Sequence, residues 1–192
     1  MDSVCWIKTI PYEKSAETLR EIYDKVKSPQ GGIDNVYEAQ SLRPHTILGH
    51  DVLYKSVLHN SGNALPDWFL EAIGVYTCLL LKCSYAVTHH FANMKALLND
   101  DIRSDTIFAA LSDNHPEKVF QGKELALLQY TSKLTQSPED MEKSDIRKLQ
   151  NLGLEDGLIL EVNQVCASFN YSARVINGLG VNIGNDVVGF YP

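Results

Sequence analysis

From Pro66 to Leu98 the chain holds one glycine, Gly74, and no further proline. A stretch of that length without a breaker reads as one long helix. Pro66 fits its first turn, where the missing N–H costs nothing, and Asp67 complements the positive end of the helix dipole. The same stretch is apolar through much of its length, yet it carries Glu71, Cys78, Cys83, His89 and His90. A carboxylate, two thiols and an imidazole pair therefore share one helical segment, and the fold has to be built around it.

The remainder also reads as helix. Ser15 to Lys27 is amphipathic, with Leu19, Ile22, Tyr23 and Val26 recurring at helical steps, and Pro29-Gln-Gly-Gly ends it. Arg43-Pro44 starts a second helix with Leu48, Val52, Val57 and Leu58 inward, broken at Ser61-Gly-Asn. After the long helix, Asn99-Asp-Asp is a turn and Ile102 to Leu111 a short helix; Asn114-His-Pro-Glu is a loop. Lys123 to Leu134 is helical and stops at Ser137-Pro138. Ser144 is expected to cap a short helix ending at Gly153, and a last helix runs from about Glu155 to Leu179, stopped by Gly178-Leu-Gly180. The tail to Pro192 is expected to lie extended over the surface or over a neighbour. Strand signals are weak, and there is no internal repeat, low-complexity run or linker. The expectation is an all-α chain forming a single domain over residues 1–192, with its motif helix at about 66–98 and a C-terminal helical half at about 120–180.

A net charge of -7 argues against a nucleic-acid binder, which should show a basic patch or stripe. No apolar run approaches the roughly 18 residues needed to span a bilayer. The start, Met-Asp-Ser-Val-Cys-Trp, lacks the basic and apolar regions of a signal peptide. A cytoplasmic protein is expected, with neither nucleic acid nor membrane as partner. Four cysteines (5, 78, 83 and 166) in such a chain are not a disulfide framework, and no Cys/His set has zinc-ligand spacing. Neither a cofactor nor a metal is expected.

On an ideal straight helix, Cys83 and His90 lie about 20° apart around the axis and about 10 Å apart along it. Side chains lean toward the helix N-terminus, so His90 points back over position 86, where the residue is Ala86. Cys78 and Cys83 lie about 140° apart and should not bridge. Glu71, about 120° from Cys83, could serve the site only through water, a helix distortion or another chain. The plain alternatives are inert buried thiols at Cys78 and Cys166, a helix-dipole charge at Glu71, and surface or hydrogen-bonded histidines.

The segment from Leu65-Pro66 to His90 resembles the carboxymuconolactone decarboxylase superfamily. It is most similar to the alkylhydroperoxidase D-like (AhpD-like) branch of uncharacterised peroxidase-related proteins. That branch has a Glu, a Cys-x-x-Cys twelve residues on, and a His seven residues after the first Cys; here the positions are Glu71, Cys83, Ala86 and His90. His89-His90 matches its His-His pair. The likeness continues through Trp6-Ile7, Ser41-Leu-Arg-Pro44-His and the run from Lys123 through Tyr130 to Lys133-Leu-Thr. It reappears in Asp145-Ile, Leu149, Gly153-Leu and Ile159-Leu-Glu161, and in Phe169-Asn170-Tyr, Arg174 and Gly178-Leu-Gly180-Val.

The resemblance implies an all-α AhpD-like fold and a homo-oligomer, by dimers, trimers or hexamers. In active members two cysteines cycle between dithiol and disulfide to reduce hydroperoxides. The thiol nearer the histidine attacks, and glutamate and histidine relay protons. Glu71, Cys83 and His90 match that set; Ala86 stands where the attacking thiol would be, so the family's two-cysteine cycle is not expected. Three functions remain open. One is a one-cysteine peroxidase, an antioxidant oxidoreductase in which Cys83 reduces a small-molecule peroxide and an external thiol reductant restores it. Another is a decarboxylase-like acid–base enzyme using His90 oriented by Glu71. The third is a redox-inactive binding or oligomeric scaffold.

Overall fold

A computed structural model describes residues 3–28 and 30–189. Its helices are α1 (Glu17–Val26), α2 (Asn35–Glu38), α3 (Pro44–Leu58), α4 (Asp67–Leu80), α5 (Ser84–Leu98), α6 (Asp101–Ser112), α7 (Gly122–Gln136), α8 (Lys143–Asn151) and α9 (Asp156–Leu179). There is no strand among the described residues. None of the helices is long and apolar enough to cross a membrane.

The core is built round α4, in which every residue from Phe69 to Cys78 is buried. Helices α5, α7 and α9 pack against it. A helix that is apolar all round has to be enclosed in this way. Gly74 explains how closely α9 approaches: a Cβ there would stand 2.2 Å from the Phe169 ring. Glycine in mid-helix costs about 1 kcal/mol against alanine, and here the space it frees is filled by an aromatic ring. A second, smaller cluster joins Leu19, Ile22, Tyr23 and Val26 of α1 to Tyr37 and Ile47.

Most element boundaries fall where the sequence places them, but three readings change. First, the helix expected over 66–98 is two helices, α4 and α5, separated at Leu81–Cys83, with Lys82 in the left-handed region at φ +55°. Second, Val52 is exposed rather than inward. Third, α8 starts from Glu142, whose backbone N–H donates to the Asp145 carboxylate at 2.9 Å, while the Ser144 hydroxyl turns back to Glu142. Residues 181–189 lie over the body, as expected of the tail. Asp186 there accepts from the Asn35 N–H at 2.9 Å and from the Tyr85 hydroxyl at 2.6 Å. Pro29 and the end of the tail lie outside the described residues.

Candidate active site

The separation of α4 from α5 has a defined hydrogen-bond pattern. The Cys83 N–H donates to the Cys78 carbonyl at 2.9 Å, and the Lys82 N–H donates to the Leu79 carbonyl at 3.1 Å. These two bonds with one left-handed residue make a Schellman motif, the usual way to satisfy the last carbonyls of a helix. Lysine supplies the left-handed residue where glycine is usual. Cys83 then becomes the N-cap of α5, and its carbonyl accepts from the Val87 N–H at 3.0 Å.

Two consequences correct the straight-helix picture. Cys78 and Cys83, about 140° apart on a continuous helix, become the two ends of one hydrogen-bonded turn, the positions that a Schellman motif often sets against each other. The neighbouring Cys78 thiol lowers the Cys83 thiol to about 7 against its burial, helped by the Ala86 backbone N–H and the His90 charge. Cys78 is held well above the usual thiol range, first by its bond to Cys83 and then by burial. Both side chains are fully buried.

The second consequence concerns Glu71. The turn folds α5 back along α4, so residues equally far from Lys82 face one another. Glu71 is only 1% exposed, which makes it a core group and not a helix-dipole charge. Its carboxylate holds the His90 Nδ1 at 2.7 Å and accepts from the Asn93 amide at 3.1 Å. No water or second chain is needed to join Glu71 to His90. With Nδ1–H donated to the carboxylate, Nε2 is the basic nitrogen of the His90 ring. Edge-on contacts fix that ring from two sides, Phe169 at 4.5 Å and Tyr54 at 5.9 Å between centroids. Gly74, Phe169 and His90 thus form one stack: the glycine admits the phenylalanine, and the phenylalanine orients the histidine.

His90 and Ala86 line a cavity of about 90 Å³, which is closed further by Tyr54, His89, Phe169 and Ser172. That is space for several waters or one small molecule. His89 is a neutral wall group, its pKa pushed down to about 4 by burial and by His90. Its Nδ1 faces the Gly189 N–H at 3.4 Å and its Nε2 lies 3.7 Å from Asp186. His50 is likewise held at about 4 by burial and bonds Gln40 and Ser172. Among the described residues no group of three or more His, Cys, Asp and Glu side chains is placed to hold a metal.

No protein-family model matches the sequence, and no curated protein matches it. Solved structures do. One is an alkylhydroperoxidase AhpD core, an uncharacterised peroxidase-related protein from Ralstonia eutropha, at 19% identity and TM-score 0.81 over 97% of this chain and 95% of the other. Another, an uncharacterised peroxidase-related protein from a Silicibacter species, superposes at TM-score 0.77 with 19% identity, covering 94% and 92%. The chain has the AhpD-like fold. The debrominase Bmp8 shares it at TM-score 0.71 and 14% identity over 94% and 91% of the two chains. A cysteine-to-alanine variant of that debrominase has been captured with 2,3,4-tribromopyrrole, at the same identity and TM-score.

Within this AhpD-like scaffold the structure brings Glu71 and His90 into direct contact and puts Cys83 behind the cavity wall at Ala86. Sequence reasoning missed Asn93, Tyr54, Phe169 and Asp186. Only Phe169 had a readable signal, the glycine inside an apolar helix, which marks a close approach. The others join the site through tertiary contacts that no local pattern encodes.

Proposed function

We propose that this protein is a thiol-dependent reductase of small hydroperoxides, with Cys83 as nucleophile and His90, held by Glu71, as proton relay. The observation that carries the reading is the 2.7 Å Glu71–His90 contact, with His90 at a cavity whose wall includes Ala86, three residues past Cys83. The Cys83 proton passes to His90. The thiolate attacks the terminal oxygen of ROOH, the S–O bond forms and the O–O bond breaks. The departing alkoxide takes a proton from His90 and leaves as the alcohol, with Cys83 as the sulfenic acid. A thiol near pKa 7 is half ionised at neutral pH, and a carboxylate-oriented imidazole is the usual partner for such a step. The reading takes the chain as a single AhpD-like domain acting as a cytoplasmic homo-oligomer with an external thiol as electron donor.

One observation favours a second reading. Cys83 is fully buried while His90 lines the cavity. If the substrate never reaches the sulfur, His90 would act alone as a general base in an acid–base reaction. The debrominase fold neighbour also suggests halogenated aromatics as a second electrophile class to assay. The test is consumption of hydrogen peroxide and of an alkyl hydroperoxide with excess dithiol. Cys83→Ser should abolish turnover and His90→Gln should lower it about 100-fold. Turnover of any substrate that survives in Cys83→Ser but not in His90→Gln would select the acid–base reading instead.

A further inference from the structure

Among the described residues, four helices end on the same two hydrogen bonds, at Lys82, Asn114, Gly153 and Gly180, each with positive φ. A Schellman motif normally closes with an apolar contact between the third residue from the helix end and the second residue past it. At the end of α9 that pair is Ile176 and Val181, and at the end of α8 it is Leu149 and Leu154; all four are buried. At the end of α4 the same two positions hold Cys78 and Cys83. At the end of α6 the pair is Ala110 and the exposed His115, so the positions are not always an apolar contact; at the ends of α8 and α9 they hold two buried apolar side chains, and at the end of α4 two buried thiols.

We propose that Cys78 and Cys83 are a dithiol–disulfide pair, with Cys78 as the resolving thiol that position 86 does not provide. The other two cysteines are engaged elsewhere: the Cys5 thiol donates to the Ile7 carbonyl, and Cys166 sits among Thr77, Thr131 and Thr135. The oxidising step rests on the peroxidase reading. Once Cys83 is a sulfenic acid, the Cys78 sulfur attacks the Cys83 sulfur. The S–S bond forms, the S–OH bond breaks, and the hydroxyl leaves with the Cys78 proton as water. An external dithiol then reduces the disulfide by two exchanges and is itself oxidised to a disulfide. The asymmetry of the pair suits these roles. Cys83 is the sulfur stabilised as thiolate, and Cys78 keeps its proton until the leaving hydroxyl can take it. The backbone bond from the Cys83 N–H to the Cys78 carbonyl holds the two residues on one turn, so closing the bond to about 2.05 Å requires a local shift of that turn and not a rearrangement of the fold.

Lys82 makes the test direct. Trypsin cuts after it, so a Cys78–Cys83 bond joins the peptide of residues 56–82 to that of residues 83–95, which are otherwise separate. Reduced protein is treated in parallel with the disulfide-forming reagent diamide and with cumene hydroperoxide, alkylated, and digested. The expected result is the joined peptide in both samples, a fall from four free thiols to two, and full reversal by dithiothreitol. Cys78→Ala should give no joined peptide and should leave Cys83 as a dimedone-reactive sulfenic acid after peroxide. Diamide leaving four thiols free, or pairing other cysteines, would overturn the proposal. So would equal sulfenic acid in wild type and Cys78→Ala. A joined peptide with diamide but not with peroxide would uphold the pair and overturn the peroxidase reading, so the two failures are distinguishable.

Discussion

The ends of α4 and α9 share a backbone solution and differ in what they do with it. At the end of α9, Gly180 takes the left-handed position without strain at φ +62°, and Ile176 packs on Val181. At the end of α4, Lys82 takes the same position at φ +55°, and the buried Cys78 and Cys83 stand where Ile176 and Val181 do. One end is a stop assembled for stability. The other accepts a strained residue and gives up an apolar contact, and in return it sets two thiols together beside a buried carboxylate–imidazole pair. Local rules are broken where the proposed chemistry lies, a pattern common at functional sites.

Substitutions can break this comparison in order of size. Ile176→Ala should cost about 2–5 kcal/mol, whereas Cys78→Ala should cost only about 1 kcal/mol, since far less volume is removed. Urea denaturation of both variants checks this, and equal costs would mean that the thiol pair is a structural contact like its counterpart. The two ends should also differ in titration. The Cys83 thiol sits near 7 in the folded chain, below the ordinary value of 9.0. Its contribution to stability is therefore complete above pH 9 and lost as pH falls through 7, a span of roughly 3 kcal/mol. Stability should rise between pH 7 and pH 9 in wild type and stay flat in Cys83→Ser; Ile176 and Val181 carry nothing that titrates.

The left-handed residues predict opposite signs. Gly180→Ala should destabilise by about 1–2 kcal/mol through backbone strain. Its Cβ would also stand 2.1 Å from the Trp6 ring, which must move aside. Lys82→Gly should instead stabilise, by about 0.5–1 kcal/mol, because it relieves that strain where no side chain is needed. Thermal unfolding of the pair of variants measures both. A destabilising Lys82→Gly would mean that the lysine side chain has a role of its own at the junction.

The same contrast explains what was legible in the sequence. Gly153, Gly178-Leu-Gly180 and Asn114 announce their stops because those residue types tolerate positive φ. Pro44 and Pro66 announce starts for a similar reason. Lysine is a good helix former, so the break at Lys82 carried no local signal and a single long helix was the reasonable expectation. That one missed break separated Cys78 from Cys83 and left Glu71 short of His90 on the straight helix. The identities of Glu71, Cys83 and His90 as candidates could be read from their spacing. Their contacts could not, because they depend on α5 folding back along α4. The burial of Glu71 was likewise invisible, since a carboxylate near the start of a helix has an ordinary solvent-exposed role.

The account stands most directly on a single-turnover experiment. Fully reduced protein is mixed with one equivalent of cumene hydroperoxide, with no external thiol present, and the alcohol formed is counted against the thiols lost. One alcohol per chain, with the loss of two thiols mapped to Cys78 and Cys83, is the predicted result. No alcohol and four intact thiols would contradict Cys83 as the nucleophile and leave His90, held by Glu71, as the remaining chemistry of the cavity.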